Sequence, residues 1–396
     1  MAMSDGPDVD ELDPPDRTLM GPGPSPVNPR VTRAMSAPVL GHLDPAFLEI
    51  MDETRELLRY AFRTDNDLTL AVSGTGSAAM EAAVGNVVEP GDTFLVPANG
   101  YFGDRMAEMG RRAGAEVARV DATWGEPVDP DVAADAMAEH DPDVFGFVHA
   151  ETSTGTRQTD VPALTAAAHD HDALVIADTV TSLGGVEMRV DEWGIDVAYS
   201  VSQKCLSCPP GASPITLSDA AVEKLAGREE PVRSWYLDLS LLAEYWGEER
   251  SYHHTMSSPL VYALREGLRL VAEEGIEERW ARHLRVAGAL KAGVEAMGLG
   301  LAPEDDYWLP SLNAVRLPEG VDDGDVIDYV LEHYDLEVAG GLGASAGEVL
   351  RVGCMGYGAR PETVTLTVAA LADAFDALGA DVDGGAGMAA TREALR

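Results

Sequence analysis

The sequence predicts an α/β fold: a large domain with a mainly parallel, seven-stranded sheet covered by helices, followed by a small C-terminal α+β domain. From residue 68 onward, short apolar segments alternate with helix-like segments, as in sheets whose strands are linked by crossing helices. After residue 257 the pattern changes to long amphipathic helices. With 396 residues, 45% of them hydrophobic, the chain is long enough for about two or three domains.

The predicted strands of the large domain are short apolar runs. They are residues 68–72, 93–98, 116–120, 144–150, 173–178, 196–202 and 214–218. Runs such as ALVIAD (173–178) are apolar throughout, which indicates burial on both faces of a parallel sheet. Segments such as AAMEAAVGNVV lie between the runs and are typical of the covering helices.

Long helices are predicted over 257–298, with a break at Gly275. Leu260, Leu264 and Leu268 recur on one helical face there. For the small domain we expect strands near 312–317, 336–339 and 349–353 and helices near 323–333 and 361–378.

These patterns divide the chain into four parts. The predicted parts are a disordered acidic tail (1–17), an N-terminal arm with the large domain (18–275), the small α+β domain (276–380) and a loose tail (381–396). The first tail is acidic and rich in proline with few aromatic residues, which is typical of disorder. The last tail is dominated by small residues.

The formal net charge of −40 is spread along the whole chain, and only three of the 28 basic residues are lysines. This composition is typical of adaptation to high salt, where screening weakens repulsion between dense surface carboxylates. An ordinary acidic protein is the alternative. So much negative charge argues against nucleic-acid binding, which needs basic surfaces.

Two further absences bear on location. No segment approaches ~20 uncharged apolar residues, so we predict no membrane span. The N-terminus lacks the basic and apolar regions of a signal peptide, so we predict a cytoplasmic protein.

Ligands of an open parallel sheet collect at the carboxyl ends of its strands, and polar residues follow three of the predicted strands. The first is SGTGSAAMEAAV (73–84), where a glycine-rich turn opens a helix. Exposed N–H groups and the helix dipole favour an anion there, most often phosphate, although such turns are also a common structural feature. The second is Asp178, in ADTVTSLGG, which either caps the local turn or faces the ligand crevice.

The third strand end carries Lys204, within YSVSQKCLSCPPG (199–211). A lysine among apolar residues at a strand end can have a lowered pKa and act as a nucleophilic amine. The alternative is a lysine whose charged end reaches solvent. The scarcity of lysine elsewhere favours the first interpretation, since Lys224 and Lys291 lie in segments typical of the surface.

Cys205 and Cys208 form a C-x-x-C pair directly after this lysine. A zinc site would need a second pair or two suitably spaced histidines, and Cys354 is isolated, so we predict no metal site. A redox role needs the pair at the start of a helix, but two prolines follow it. We therefore expect the cysteines to be small buried residues.

A helix start that binds anions, an acid and a lysine, in this order on one sheet, match the needs of pyridoxal 5′-phosphate. Its phosphate suits the helix N-terminus, its pyridine nitrogen needs a carboxylate, and its aldehyde needs a lysine to form a Schiff base. The sequence therefore predicts this cofactor.

The ordered motifs extend this prediction. They are GPGPSPVNPRV, SGTGSAAMEAAVGNVVEPGD, ANGYFGDR, HAETSTG, ADTVTSLGG, YSVSQKCLSCPPG, SYHHT and GGLGASAGEVLRVG. In this set the chain resembles the class V, fold-type I aminotransferases that depend on pyridoxal phosphate, most closely the alanine–glyoxylate (serine–pyruvate) aminotransferases. The resemblance covers roughly residues 19–378.

The resemblance implies a role for each of a set of residues. Lys204 would bind the cofactor and Asp178 would pair with its pyridinium. Thr75, Gly76, Ser77 and Gln203 would bind phosphate, Phe102 would stack on the ring, Thr152 would contact the ring hydroxyl, Tyr252 and Thr255 would reach the phosphate of the neighbouring subunit, and Arg351 with Gly23 would bind the substrate. The implied assembly is a homodimer with active sites at the subunit interface.

Three positions depart from the family pattern. Phe102 stands where relatives often carry Trp, and Ser77 stands where His is frequent. GGLGASAGE replaces a Pro-Ser-Thr-Gly-Lys run, and its Glu348 is expected to lie near Arg351.

The implied reaction is transamination of a small amino acid, alanine or serine, with a small 2-oxo acid, glyoxylate or pyruvate. Alternatives on the same scaffold are a transaminase of 2-aminoethylphosphonate with pyruvate, and a cysteine desulfurase or related lyase, for which Cys354 would be the candidate nucleophile. A nicotinamide enzyme or a binding module on a doubly wound sheet would give Lys204 no role and would need an acid after the second strand. That strand instead ends in PANGYFG.

Overall fold

We describe the protein from a computed structural model that covers residues 9–97 and 99–396. The strands are β1 (Thr18–Leu19), β2 (Leu68–Gly74), β3 (Thr93–Pro97), β4 (Glu116–Val120), β5 (Val144–Val148), β6 (Ala150–Glu151), β7 (Thr156–Arg157), β8 (Leu174–Asp178), β9 (Val197–Tyr199), β10 (Gly211–Leu217), β11 (Leu312–Arg316), β12 (Leu336–Glu337), β13 (Ala339–Gly340) and β14 (Val349–Gly353).

The helices alternate with these strands through most of the large domain. They are α1 (Pro29–Met35), α2 (Pro45–Phe62), α3 (Gly76–Val87), α4 (Tyr101–Ala113), α5 (Pro130–His140), α6 (Val161–His169), α7 (Asp219–Ala226), α8 (Leu239–Trp246), α9 (Ser258–Glu274), α10 (Ile276–Ala296), α11 (Asp323–Tyr334), α12 (Pro361–Ala377) and α13 (Gly384–Ala394).

Seven strands form the central sheet, in the order β2-β10-β9-β8-β5-β3-β4. The strands from β9 to β4 are parallel, and β10 runs antiparallel to both β2 and β9. Their apolar side chains are buried on both faces against the helices. The predicted α/β fold with a mainly parallel, seven-stranded sheet is confirmed.

Acidic residues begin several of the helices. Asp44, Asp129 and Asp322 each accept a hydrogen bond at a helix start from the backbone N–H two residues ahead. A proline follows the first two as the first helical residue, where its missing N–H removes no helical bond. Part of the acidic composition therefore serves as N-caps.

The second hydrophobic cluster belongs to the small domain, whose sheet has the order β11-β14-β13 and is antiparallel. Helices α10, α11 and α12 contribute to this cluster. The predicted helix break is confirmed, because α9 ends and α10 begins at Gly275, whose φ of 88° suits glycine.

The N-terminal arm reaches the small domain. Strand β1 pairs in parallel with β12, and Arg17 forms an ion pair with Asp335. Of the expected disordered tail, residues 1–8 lie outside the described residues, and residues 9–16 have no regular secondary structure.

The expected loose tail at 381–396 is wrong, since residues 384–394 form helix α13. This helix packs on α10 and α12, with Gly387 and Thr391 buried. A Cβ on Gly293 of α10 would lie 2.2 Å from the Thr391 hydroxyl, so the helices touch closely where their residues are small. Composition suggested a loose segment, but the same small residues permit this close contact.

Within the described residues, no helix has both the length and the apolar character needed to cross a membrane.

Candidate active site

The carboxyl ends of β8 and β9 place a buried acid in the sheet crevice. Asp178 ends β8 and is 2% exposed. One carboxylate oxygen accepts the Val180 N–H at 2.9 Å, and the other accepts the Tyr199 hydroxyl at 2.7 Å. Burial raises the pKa of Asp178 to about 6, against the opposing effect of these two donors.

Lys204 lies in the segment after β9 and is 8% exposed. Its Nζ donates to the Pro22 carbonyl oxygen at 2.5 Å, and it forms no salt bridge among the described residues. Burial lowers the pKa of Lys204 to about 8, although nearby Cys205 and Asp178 oppose that shift. The position therefore favours a neutral amine more than an exposed lysine would.

The N-terminal arm closes over this lysine. A Cβ on Gly23 would lie 3.2 Å from Lys204 Cδ and Cε, so Gly23 leaves little room for a larger side chain. The Ser25 hydroxyl donates to the Lys204 carbonyl oxygen at 2.6 Å, and the Ser25 N–H donates to the Gln203 carbonyl oxygen at 2.8 Å. The arm thus holds the lysine segment from one side.

The glycine-rich turn follows β2 and opens α3. Thr75 is the N-cap residue, but its side chain makes no capping hydrogen bond. A Cβ on Gly76 would lie 2.6 Å from Val201 Cγ1, so the helix start lies close against the segment that carries Gln203 and Lys204. Ser77 follows and accepts a hydrogen bond from Arg105 at 3.3 Å.

Phe102 and Thr152 lie on neighbouring segments of the same crevice. The Arg105 guanidinium lies 5.1 Å from the centre of the Phe102 ring, which connects this ring to Ser77. The Thr152 hydroxyl is 2.5 Å from that of Thr181, in the loop after Asp178.

Arg351 extends from β14 of the small domain towards the large domain and is 9% exposed. Its Nε donates to the Gly340 carbonyl oxygen at 2.7 Å, and its Nη1 reaches the Thr152 carbonyl oxygen at 3.5 Å. Burial lowers the pKa of Arg351, and the charge of Glu151 opposes that shift. Glu348, expected near Arg351, is exposed, so the carboxylate whose charge acts on Arg351 is Glu151.

Tyr252 and Thr255 lie away from this cluster. Both are exposed, Tyr252 at 56%, and their hydroxyl oxygens are 3.2 Å apart. Neither forms a hydrogen bond with Lys204, Asp178 or Arg351 in the part of the chain that the structure describes.

The three cysteines are buried and unpaired. Burial raises the pKa of Cys205 to about 11 and the pKa of both Cys208 and Cys354 to about 12. A thiol with such a pKa holds little thiolate near neutral pH, so none of them is an activated nucleophile.

Two residues of the site were not predicted. Tyr199 pairs in register with Asp178 across β8 and β9, so its hydroxyl reaches the carboxylate. The order of neighbouring strands would have revealed it. Glu151 lies in the HAETSTG motif and is 1% exposed, but its buried position depends on a loop contact that the sequence does not specify.

These residues fit pyridoxal phosphate. Within residues 9–97 and 99–396, the buried Gln203 Oε1 atom has no hydrogen-bond partner, and the Thr75 hydroxyl does not cap the helix. Polar groups therefore remain at the predicted phosphate position. The Asp178 carboxylate is the acid that the pyridine nitrogen requires. The Lys204 amine, whose pKa is lowered, is the group that the aldehyde requires.

The chain is similar to known transaminases over nearly its whole length. The sequence profile of the family described as Aminotransferase class-V matches residues 28–355. The (S)-ureidoglycine–glyoxylate transaminase of Bacillus subtilis is 42% identical, with 91% of each chain covered. The alanine–glyoxylate aminotransferase of Drosophila melanogaster is 40% identical over 91% of this chain and 93% of its own.

A solved structure agrees with the sequence comparisons. The alanine–glyoxylate aminotransferase of Nostoc sp. has a TM-score of 0.92 and 48% identity, with 93% of this chain and 97% of that chain covered. On this profile match, these identities and this shared fold, the protein belongs to the class V aminotransferases.

Proposed function

We propose that the protein uses pyridoxal phosphate to transfer the amino group of a small α-amino acid to a small 2-oxo acid such as glyoxylate or pyruvate. The observation that carries the proposal is that Lys204 is buried close enough to both Asp178 and Arg351 for their charges to act on it, and all three residues are buried. The relatives named for glyoxylate as the acceptor support this choice of acid.

The cofactor, when bound, supplies an electron sink for the carbanion that forms when an amino acid loses its α-proton. Asp178 would hold the pyridine nitrogen in its protonated form. Tyr199 and the Val180 N–H orient the carboxylate for this task, since each donates to a different oxygen. A cation at this position would also favour the ionised carboxylate, which burial alone disfavours.

Lys204 would be the group that moves the proton at the substrate α-carbon. A general base works best with a pKa near the working pH, and burial brings the pKa of this amine to about 8. Pro22 and Gly23 limit where the amine can lie, because both contact the lysine side chain.

Arg351 would bind the substrate α-carboxylate. Its Nε and Nη1 are held by backbone carbonyl oxygens, which fixes the plane of the guanidinium. A planar fork of N–H groups can pair with both oxygens of an α-carboxylate at once.

The assembly proposed is a homodimer in the cytoplasm. Tyr252 and Thr255 are exposed and outside their own chain's cluster, as residues that serve a neighbouring subunit would be. The unpaired cysteines support a reducing compartment.

The test of the reaction is a panel of donors, namely alanine, serine, glycine, (S)-ureidoglycine and 2-aminoethylphosphonate, each with glyoxylate or pyruvate at high salt. We expect keto-acid-dependent amino transfer with at least one carboxylate donor. Inactivity with all of them would reject the proposal, whereas sulfide release from cysteine would favour the lyase, against which the buried thiols argue.

The test of the dimer is complementation between two variants, Lys204→Ala and the double variant Tyr252→Ala, Thr255→Ala. In a mixed dimer, one site combines the intact Lys204 of one subunit with the intact Tyr252 and Thr255 of the other. The second site carries both sets of substitutions and is inactive. We expect mixing to restore about a quarter of the wild-type activity, the value for random pairing into dimers with one intact site in each hybrid. No recovery, with hybrids shown to form, would reject the shared site.

A further inference from the structure

Glu151 is the buried carboxylate of the site to which the reaction gives no role. It is 1% exposed and forms no salt bridge with a cation among the described residues. Its charge nevertheless acts on Lys204, Asp178 and Arg351, which places it near all three. A buried charge in this position requires compensating donors.

The donors come from two segments that line the crevice. One oxygen accepts the Ser153 N–H at 3.0 Å and the Ser153 hydroxyl at 2.5 Å. The other accepts the Phe102 N–H at 3.1 Å, with the Gly103 N–H beside it. Although burial raises the pKa of Glu151, both oxygens face donors only, which matches the ionised carboxylate.

The contact with Phe102 is at the first turn of α4. An acid there accepts N–H groups that have no partner within the helix and interacts favourably with the helix dipole. Gly100 makes room for it, because a Cβ on Gly100 would lie 2.3 to 2.5 Å from Glu151 Cγ, Cδ and Oε2. The glycine of ANGYFGDR and the acid of HAETSTG are therefore parts of one contact.

The contact with Ser153 extends to the substrate side. Ser153 follows Thr152, whose carbonyl oxygen accepts the Arg351 hydrogen bond. The Ser345 hydroxyl donates to the Ser153 carbonyl oxygen at 3.3 Å, so the loop before β14 is tied to the same segment.

We propose that Glu151 is a positioning residue that fixes the start of α4 against the Thr152–Ser153 segment. It thereby sets the distance between the Phe102 ring and Thr152, the two residues of these segments that would face the cofactor. This inference rests on the proposed use of pyridoxal phosphate. Glu151 touches neither the cofactor nor the substrate in this role, and it acts through Phe102 and Thr152.

The test is the dissociation constant of pyridoxal phosphate, measured by fluorescence on the apoprotein of each variant. Glu151→Gln replaces one acceptor oxygen by an NH₂ group that faces donors, so we expect binding to weaken about tenfold or more. Glu108→Gln makes the same chemical change on the exposed side of α4 and is expected to leave the constant unchanged. Equal affinity for wild type and Glu151→Gln would overturn the inference.

A double-mutant cycle separates positioning from general stability. In a Phe102→Leu background, Glu151→Gln should weaken binding by less than about threefold further, because residues that act through one contact are not additive. Full additivity, or a lower melting temperature of the apoprotein with unchanged affinity, would show a merely structural role. If Glu151→Gln does not fold, Ser153→Ala is the second variant. It removes the hydroxyl that donates to Glu151 and accepts the Tyr101 N–H at 3.1 Å, both within the same contact. Unchanged affinity in that variant would equally overturn the inference. Failure of the wild type to bind the cofactor would reject the proposed function instead.

Discussion

Asp178 and Lys204 are held in surroundings that disfavour their charged forms. The other two lysines differ, because Lys224 pairs with Asp92 at 2.9 Å and Lys291 pairs with Asp305. Asp178 and Lys204 form no direct ion pair with any other described residue. Their burial therefore costs the apoprotein stability and prepares both groups for a ligand that satisfies them.

We predict that Asp178→Asn stabilises the apoprotein while it abolishes transamination. The pKa of Asp178 rises from 3.8 to about 6 on folding, because the buried site favours the protonated carboxyl. The contribution of this group to the free energy of unfolding is therefore fully present below pH 3.8 and is lost as the pH rises through about 6. The loss at pH 7.5 is on the order of 3 kcal/mol, and asparagine avoids it.

The measurement is the melting temperature of both apoproteins at pH 5 and pH 7.5. The advantage of Asp178→Asn should grow between the two values. An advantage that shrinks with rising pH would contradict the assigned direction of the pKa shift.

A second prediction concerns Arg351→Lys. Lysine keeps the charge but loses the planar fork, so KM for the amino acid and for the keto acid should each rise about 10- to 100-fold. The dissociation constant of the cofactor should not change. Weakened cofactor binding with an unchanged KM would place Arg351 at the phosphate instead of the substrate.

At the scale of single residues, the sequence predicts site residues best where a charged residue stands at or just after the end of a buried apolar strand. Asp178 and Lys204 were found that way, and both lie in the crevice. Tyr199 and Glu151 were missed, since their contacts depend on which strands are neighbours and on how a loop meets a helix start. Neither is visible in the local pattern.

Whole elements were predicted best where hydrophobic runs are short and buried. Each of the seven predicted strands of the large domain overlaps a strand of the central sheet, because apolar runs with turns on either side have few other ways to be buried. Helix α13 was missed because its contact with α10 uses glycine and threonine in place of large apolar residues.

We therefore predict that removal of residues 384–396 lowers the melting temperature by several degrees. The truncation would expose Gly293 and Met297 near the end of α10 and Ala372 of α12, which lie against α13. A matched truncation of residues 1–8 at the other terminus is the control and is expected to have little effect. An unchanged melting temperature after loss of α13 would show that its packing contributes nothing to stability.

The molecule as a whole carries 68 acidic and 28 basic residues. Repulsion among so many carboxylates opposes the compact state, and salt reduces it by shortening the Debye length from about 10 Å at 0.1 M to about 3 Å at 1 M. We predict that the melting temperature rises between 0.1 M and 2 M KCl.

Potassium glutamate at equal concentration should act similarly, since the effect is one of ionic strength, whereas isosmotic sucrose should act less. A melting temperature that is flat or falls with salt would contradict the proposed adaptation.

The central claim is that Lys204 is the lysine that holds the cofactor, and the chain's three lysines make it directly measurable. The protein is incubated with pyridoxal phosphate, reduced with borohydride so that the Schiff base becomes a stable amine, digested and sequenced by mass spectrometry. We predict a phosphopyridoxyl group on Lys204 and none on Lys224 or Lys291. Modification of either surface lysine in preference to Lys204, or no modification at all, would contradict it.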